Sequence, residues 1–266
     1  WLFDKVMERI TPEFLSIYPE DTILTQKYAK FLGLAEENVT LTDGSVVAMG
    51  YVLKVFGESG KNLVCATPTF GMYKVYADMQ KMNTVFVHYN EDFSFEINRM
   101  LDKIDENTGI VSLVNPNMPI GNVYSSEEIE KVLTKAKKVD ALVIVDEAYH
   151  YFYDGTSVDM LKKYDNLVIL RTFSKLLSLP ALRLGVIIST KENIQYINNY
   201  KPHYTINSVA LAFGETIVDE HDKVVSELKE KFENGKAYLL ERLEKSNYHY
   251  IPSEGCFICI YPKYKS

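Results

Sequence analysis

Between about residues 45 and 190 the chain alternates short apolar, β-branched runs with stretches of helical periodicity, an order that few folds accept. The runs read as strands are 62–67, 84–88, 109–114, 141–145, 167–170 and 184–189. Their near-continuous apolar character, in place of alternation, means that both faces of each strand are covered. The helices between them carry start and stop signals. Ser125 with Glu128 makes a capping box, followed by Ile129, Val132, Leu133 and Ala136 at helical spacing. Ser45–Phe56 is apolar nearly all round and closes at Gly57, which predicts a buried helix with a glycine C-cap. The alternation predicts an α/β fold with a doubly wound, mostly parallel sheet.

From about residue 197 the pattern changes. A long amphipathic helix is predicted, with Val225, Leu228, Phe232, Leu239 and Leu243 on one face, then strand-like pieces around 248–251 and 256–261. Such a tail buries too little surface to stand alone. The expected organisation is an N-terminal arm (1–17), a large domain (18–196) and an incomplete α+β small domain (197–266).

With 29 Lys and Arg against 36 Asp and Glu the net charge is −7, and short basic clusters such as Lys135, Lys137 and Lys138 sit beside acids. That balance argues against a nucleic-acid partner, which needs clustered cations. No apolar run reaches the ~20 residues that span a bilayer. The opening Trp1-Leu2-Phe3-Asp4-Lys5 lacks the ordering of a signal peptide, and three cysteines make no disulfide framework. A cytoplasmic protein is expected. Cys256 and Cys259 form a C-x-x-C inside an apolar, strand-like run with no second pair or nearby His, so two core thiols are expected and no metal site.

The strongest chemical signal is Lys175, at the end of Arg171-Thr172-Phe173-Ser174-Lys175 and flanked by Phe173, Leu176 and Leu177. Burial there would lower its pKa towards that of a usable amine nucleophile; a lysine snorkelling off a strand end is the competing reading. Arg183, eight residues on, with hydroxyls at Thr172 and Ser174, offers a phosphate site beside that amine. Asp146, in Val145-Asp146-Glu147-Ala148-Tyr149, ends a buried strand where open sheets place ligand contacts, although strand-end acids also cap helices. Asp43-Gly44-Ser45 opens a helix whose first amides make an anion site. Phe70 follows a strand, and Asn115-Pro116-Asn117-Met118-Pro119-Ile120-Gly121 is a turn after another. Each of these last three alone reads more readily as an ordinary cap, core ring or turn. Gly57-Glu58-Ser59-Gly60-Lys61 is no phosphate loop, because its glycines are too close and Asn62 stands where a hydroxyl is needed.

Taken in order, these motifs resemble the fold-type I pyridoxal-phosphate enzymes, in particular the class I and II aminotransferase group around histidinol-phosphate aminotransferase, from about Tyr18 to Tyr261. The resemblance implies that Lys175 carries pyridoxal 5′-phosphate and shuttles a proton. It also implies that Asp146 pairs with the pyridine nitrogen, that Tyr149 lies near the ring hydroxyl and that Phe70 stacks on the ring. It implies a phosphate cup of Gly44, Ser45, Thr172, Ser174 and Arg183, and a homodimer in which Tyr18 reaches the partner's cofactor. The implied activity moves an amino group between an amino acid or amino-phosphate compound and a 2-oxo acid. A lyase or decarboxylase of the threonine-phosphate type would share the cofactor residues, and a non-catalytic relative would keep the fold.

The sequence departs from the family in four places. Met118 stands where the family has an Asn that donates to the ring oxygen, and a thioether cannot donate. Val46 replaces a residue that is often acidic or polar. The family's carboxylate-gripping arginine lies in a segment beyond Ser266, and the arm before Trp1 is short.

Overall fold

The computed structural model describes residues 1–261. Its centre is a sheet of seven strands: β1 (Val39–Thr42), β2 (Asn62–Thr67), β3 (Asn83–His88), β4 (Thr108–Val114), β5 (Leu142–Asp146), β6 (Leu167–Thr172) and β7 (Gly185–Ser189). They lie in the order β1-β7-β6-β5-β4-β2-β3. Strands β3, β2, β4, β5 and β6 run parallel, whereas β7 is antiparallel to both β6 and β1.

The period of two along each strand divides the core into two layers. From β4, β5 and β6, the residues Ile110, Val114, Leu142, Ile144, Val168 and Leu170 face one side. There they meet Met49 and Leu53 of the Ser45–Phe56 helix, Tyr73 and Ala77 of the Met72–Met79 helix, and Ile194 and Ile197 of the Lys191–Tyr200 helix. Val111, Leu113, Val143, Val145, Leu167 and Ile169 face the other side, against Leu24, Tyr28, Met100, Ile129, Val132 and Leu133. This is the doubly wound α/β architecture that the sequence predicts. The capping box is present: Ser125 Oγ accepts from the Glu128 amide at 3.2 Å, and a Glu128 carboxylate oxygen accepts from the Ser125 amide at 2.9 Å. Such a cap contributes about 1 kcal/mol.

Several expectations are corrected. β1 has no counterpart among the predicted strands. Gly57 is extended (φ −75°, ψ 126°), not left-handed; glycine is needed there because a Cβ would collide with the Leu53 carbonyl oxygen. The long helix spans His221–Lys245, but Val224 and Leu243 are its buried residues, while Leu239 is 44% exposed. The Lys191–Tyr200 helix runs across the 196/197 boundary, and Ala210, Leu211 and Ile217 of the next helix, Ser208–Asp219, belong to the large core. Two short antiparallel strands follow, β8 (Tyr250–Ile251) and β9 (Cys259–Ile260). Because β9 begins only at Cys259, Cys256 precedes it in a loop and is exposed, and Cys259 is half-buried; neither is a core thiol, unlike Cys65. Residues 262–266 of the expected small domain lie outside the described residues.

Candidate active site

The reversed direction of β7 assembles the site. Gly185 at the start of β7 pairs with Thr172 at the end of β6 on one side and with Thr42 at the end of β1 on the other. Ser174 and Lys175 leaving β6, Arg183 entering β7, and Gly44 and Ser45 leaving β1 therefore gather at one sheet edge. Their closeness depends on glycine at two points. A Cβ on Gly44 (φ 89°) would lie 2.5 Å from the Arg183 guanidinium Nη2, and one on Gly185 would lie 2.5 Å from the Gly44 carbonyl carbon. Arg183 is itself left-handed (φ 54°), a backbone state that costs about 1 kcal/mol or more outside glycine, and its Nη1 donates to the Pro180 carbonyl at 3.0 Å.

This cradle has the chemistry of an anion site. The Ser45–Phe56 helix starts without a side-chain cap, so its first amides are free to donate outward. Ser174 Oγ is buried and has no hydrogen-bond partner among the described residues. Thr172 Oγ1 is already engaged, accepting from the Ser174 amide at 3.2 Å and donating to the Leu184 carbonyl at 3.4 Å. An orphaned hydroxyl, an uncapped helix and a guanidinium together fit a phosphate group.

Asp146 ends β5 and is 3% exposed. Its Oδ1 accepts from the Ala148 amide and its Oδ2 from the Tyr73 hydroxyl, both at 3.0 Å. Burial pushes its carboxyl up to about 6, while the amide, the Tyr73 hydroxyl and the Lys175 ammonium oppose the rise. Lys175 Nζ lies 5.0 Å from the centre of the buried Tyr149 ring. Burial raises the Tyr149 hydroxyl and the neighbouring Lys175 charge counters it. Lys175 itself is exposed, which agrees with the reading of a lysine at a strand end and not with that of a buried amine: Phe173, Leu176 and Leu177 turn inward and leave the lysine at the mouth. The C-terminal segment supplies a wall, with the Phe257 ring edge-on to Tyr149 at 5.0 Å and the Glu254 amide donating to the Gly121 carbonyl at 2.8 Å.

Phe70 is half-buried beside Tyr73. Tyr18 is 77% exposed, its ring tilted against that of Tyr204 with centroids 5.0 Å apart, and is not brought into this cluster. Met118 is half-buried, and its neighbours are committed elsewhere. Asn115 Oδ1 accepts from the Tyr124 amide at 2.8 Å; Asn117 Nδ2 donates to the Pro68 carbonyl at 2.9 Å and to the Tyr89 hydroxyl at 2.7 Å. The sequence reading missed Tyr73, Gly185, Phe257 and the buried Arg171–Glu147 pair. Of these, only the pair had a visible signal, two opposite charges inside apolar runs.

The fold and this edge define a class: residues 15–264 match the family described as aminotransferase class I and II, and the chain belongs to it. It is 33% identical over 228 residues to the histidinol-phosphate aminotransferase of Clostridium novyi (strain NT), covering 85% of this chain and 63% of that protein. With the enzyme of that name from Caldanaerobacter subterraneus subsp. tengcongensis it shares 30% identity, over 80% of this chain and 65% of the relative. The chain thus spans a little under two thirds of the length of these relatives. The solved histidinol-phosphate aminotransferase from Sinorhizobium meliloti, in complex with pyridoxal-5′-phosphate, has the same fold, with a TM-score of 0.87 at 20% identity over 97% of this chain and 71% of that one.

Proposed function

We propose that the chain holds pyridoxal 5′-phosphate on Lys175 and that the protein is an aminotransferase like the histidinol-phosphate enzymes it is similar to. It would move an amino group between an amino acid or amino-phosphate compound and a 2-oxo acid. The observation that supports this best is the meeting of Lys175, Arg183 and the uncapped Ser45 helix at one sheet edge, with Asp146 ending a strand of that edge. Bound there, the cofactor supplies an electron-withdrawing ring that stabilises charge left on a substrate carbon. Asp146, as a carboxylate, would hold the proton on the ring nitrogen. Arg183, Ser174 and the helix amides bind the phosphate. Phe70 would cover a ring face, Tyr149 would serve the ring oxygen, and the Lys175 amine would take and return the proton at the substrate carbon.

The same reading makes the protein a cytoplasmic homodimer, with the exposed Tyr18 completing the partner's site. It divides the chain into a cofactor-holding part and part of a smaller domain, with the division moved to the start of the His221–Lys245 helix. Borohydride reduction in the presence of the cofactor, followed by peptide mapping, should place the pyridoxyl group on Lys175. A label on another lysine overturns the assignment. Incubation with amino donors should yield a transferred amino group; carbon dioxide released in its place would mark a decarboxylase.

A further inference from the structure

Tyr73 lies at the start of the Met72–Met79 helix, three residues after Phe70, and its amide donates to the Phe70 carbonyl at 3.3 Å. Its side chain is fully buried under the sheet, in the cluster that contains Ile144 and Leu170. A phenol in such a place must find a partner for its hydroxyl. It has one in Asp146 Oδ2, 73 residues further along the chain.

We propose that Tyr73 is a positioning residue for Asp146: by donating to Oδ2 from the buried layer it keeps the strand-end carboxylate charged and fixes its orientation. The geometry leaves little else to do this. Asp146 Oδ1 has the Ala148 amide, which lies two residues along the same segment and constrains one oxygen only. Two donors on two oxygens fix the plane of the carboxylate, and each oxygen keeps a lone pair for a further donor. The other groups facing Asp146 are the Lys175 ammonium and the Tyr149 hydroxyl on the site side, and Glu147 next along its own strand end. Cys65 faces Tyr73 from β2; burial pushes its thiol up to about 12, so it stays neutral and leaves the carboxylate as the phenol's charged neighbour. Phe70 and Tyr73 sit on one continuous turn, so the residue covering the ring and the residue steadying the ring's counter-charge move as a unit.

The inference rests on the proposed role of Asp146 opposite a ring nitrogen, yet it can be tested without the cofactor. The full chain, labelled with ¹³C in its aspartate carboxyls and freed of cofactor, is titrated by NMR, with Asp146→Asn identifying the resonance. Wild type should titrate with a midpoint near 6. Tyr73→Phe, which removes one oxygen and keeps the packing, should move that midpoint upward by about one to two pH units. An unmoved midpoint overturns the proposal and leaves Tyr73 a packing residue. A second measurement, on the chain loaded with ring-¹⁵N pyridoxal phosphate, follows protonation of the ring nitrogen, which Tyr73→Phe should lose at lower pH than wild type. The same ring-nitrogen midpoint in both proteins counts against the positioning role. If the cofactor does not load at all, the function proposed above fails, while the carboxyl titration still decides the Tyr73–Asp146 coupling.

Discussion

Arg171 meets Glu147 through Nε at 2.9 Å and Nη2 at 2.8 Å, with both side chains almost wholly buried. Arg171 Nη2 also donates to Thr156 Oγ1 at 2.8 Å, and the Ser157 amide donates to Glu147 Oε1 at 2.6 Å, so no charge in the cluster is left bare. Glu147 directly follows Asp146, and Arg171 directly precedes Thr172. The pair therefore ties together the ends of β5 and β6 that carry the site. Removing one partner strands a buried charge, whereas removing both does not. Arg171→Met should cost about 3–5 kcal/mol in urea unfolding, and the Arg171→Met, Glu147→Leu double variant clearly less. A double variant as unstable as the single one would contradict this account.

Asp146 should destabilise the cofactor-free fold at neutral pH. Its carboxyl is pushed from an ordinary 3.8 up to about 6, so the folded state favours the protonated form. Stability from this group is full below about pH 4, falls as pH rises towards 6, and stays low above. The cofactor-free Asp146→Asn variant should consequently be more stable than wild type at pH 7, by about 3 kcal/mol, with the gap closing near pH 4. The same change should abolish useful transamination, since no carboxylate remains to hold the ring proton. Thermal unfolding at a series of pH values checks it; equal stability at pH 7 refutes it.

Gly44→Ala should leave the sheet intact but weaken binding of pyridoxal phosphate about tenfold or more, because the new methyl displaces the Arg183 guanidinium and a φ of 89° resists a side chain. Equilibrium dialysis against the cofactor measures the loss, with the far-ultraviolet dichroism expected unchanged.

In the proposed site Met118 would leave the ring oxygen short of one donor, and two replacements are already engaged: Asn117 Nδ2 donates to Pro68 and Tyr89, and Asn115 Nδ2 points to the Tyr124 carbonyl at 3.5 Å. Met118→Asn should lower the pH midpoint of the bound cofactor's visible band by about one to two units, the value of one charge-assisted hydrogen bond. A midpoint that stays or rises shows that another donor already serves the oxygen.

The sequence made six of the seven large-sheet strands legible by their apolar, β-branched runs; five are covered on both faces as expected, whereas β3, at the edge of the sheet, leaves Asn83, Phe86 and His88 exposed. β1 escaped for a physical reason: its Val-Thr-Leu-Thr pattern looks half-solvated, yet Thr40 and Thr42 are buried, their hydroxyls donating to Asn198 Oδ1 at 2.7 Å and the Gly44 carbonyl at 3.2 Å. Local polarity hides a strand whose polar groups are satisfied once folded, one by Asn198 far along the chain and one by Gly44 two residues on. The site was legible where residues are close in sequence, as in Ser174, Lys175 and Arg183. Tyr73 was not, because its partner is far along the chain and only the sheet order brings them together. Of the two readings open for Lys175 the buried one failed, because neighbouring apolar residues say where the backbone is covered, not which way one side chain points.

The segment from Thr172 to Gly185 is pinned at both ends to the same rung of the sheet, since those two residues are paired across β6 and β7. It is in effect a closed ring of fixed circumference. Its exposed members, such as Pro180 and Ala181, can change identity at less cost than its buried ones, but a single inserted or deleted residue has no strand to slide along. Such a change would rotate Lys175 and Arg183 out of register with each other, so the exposed positions outside the site should tolerate substitution, and the loop should tolerate length variation hardly at all.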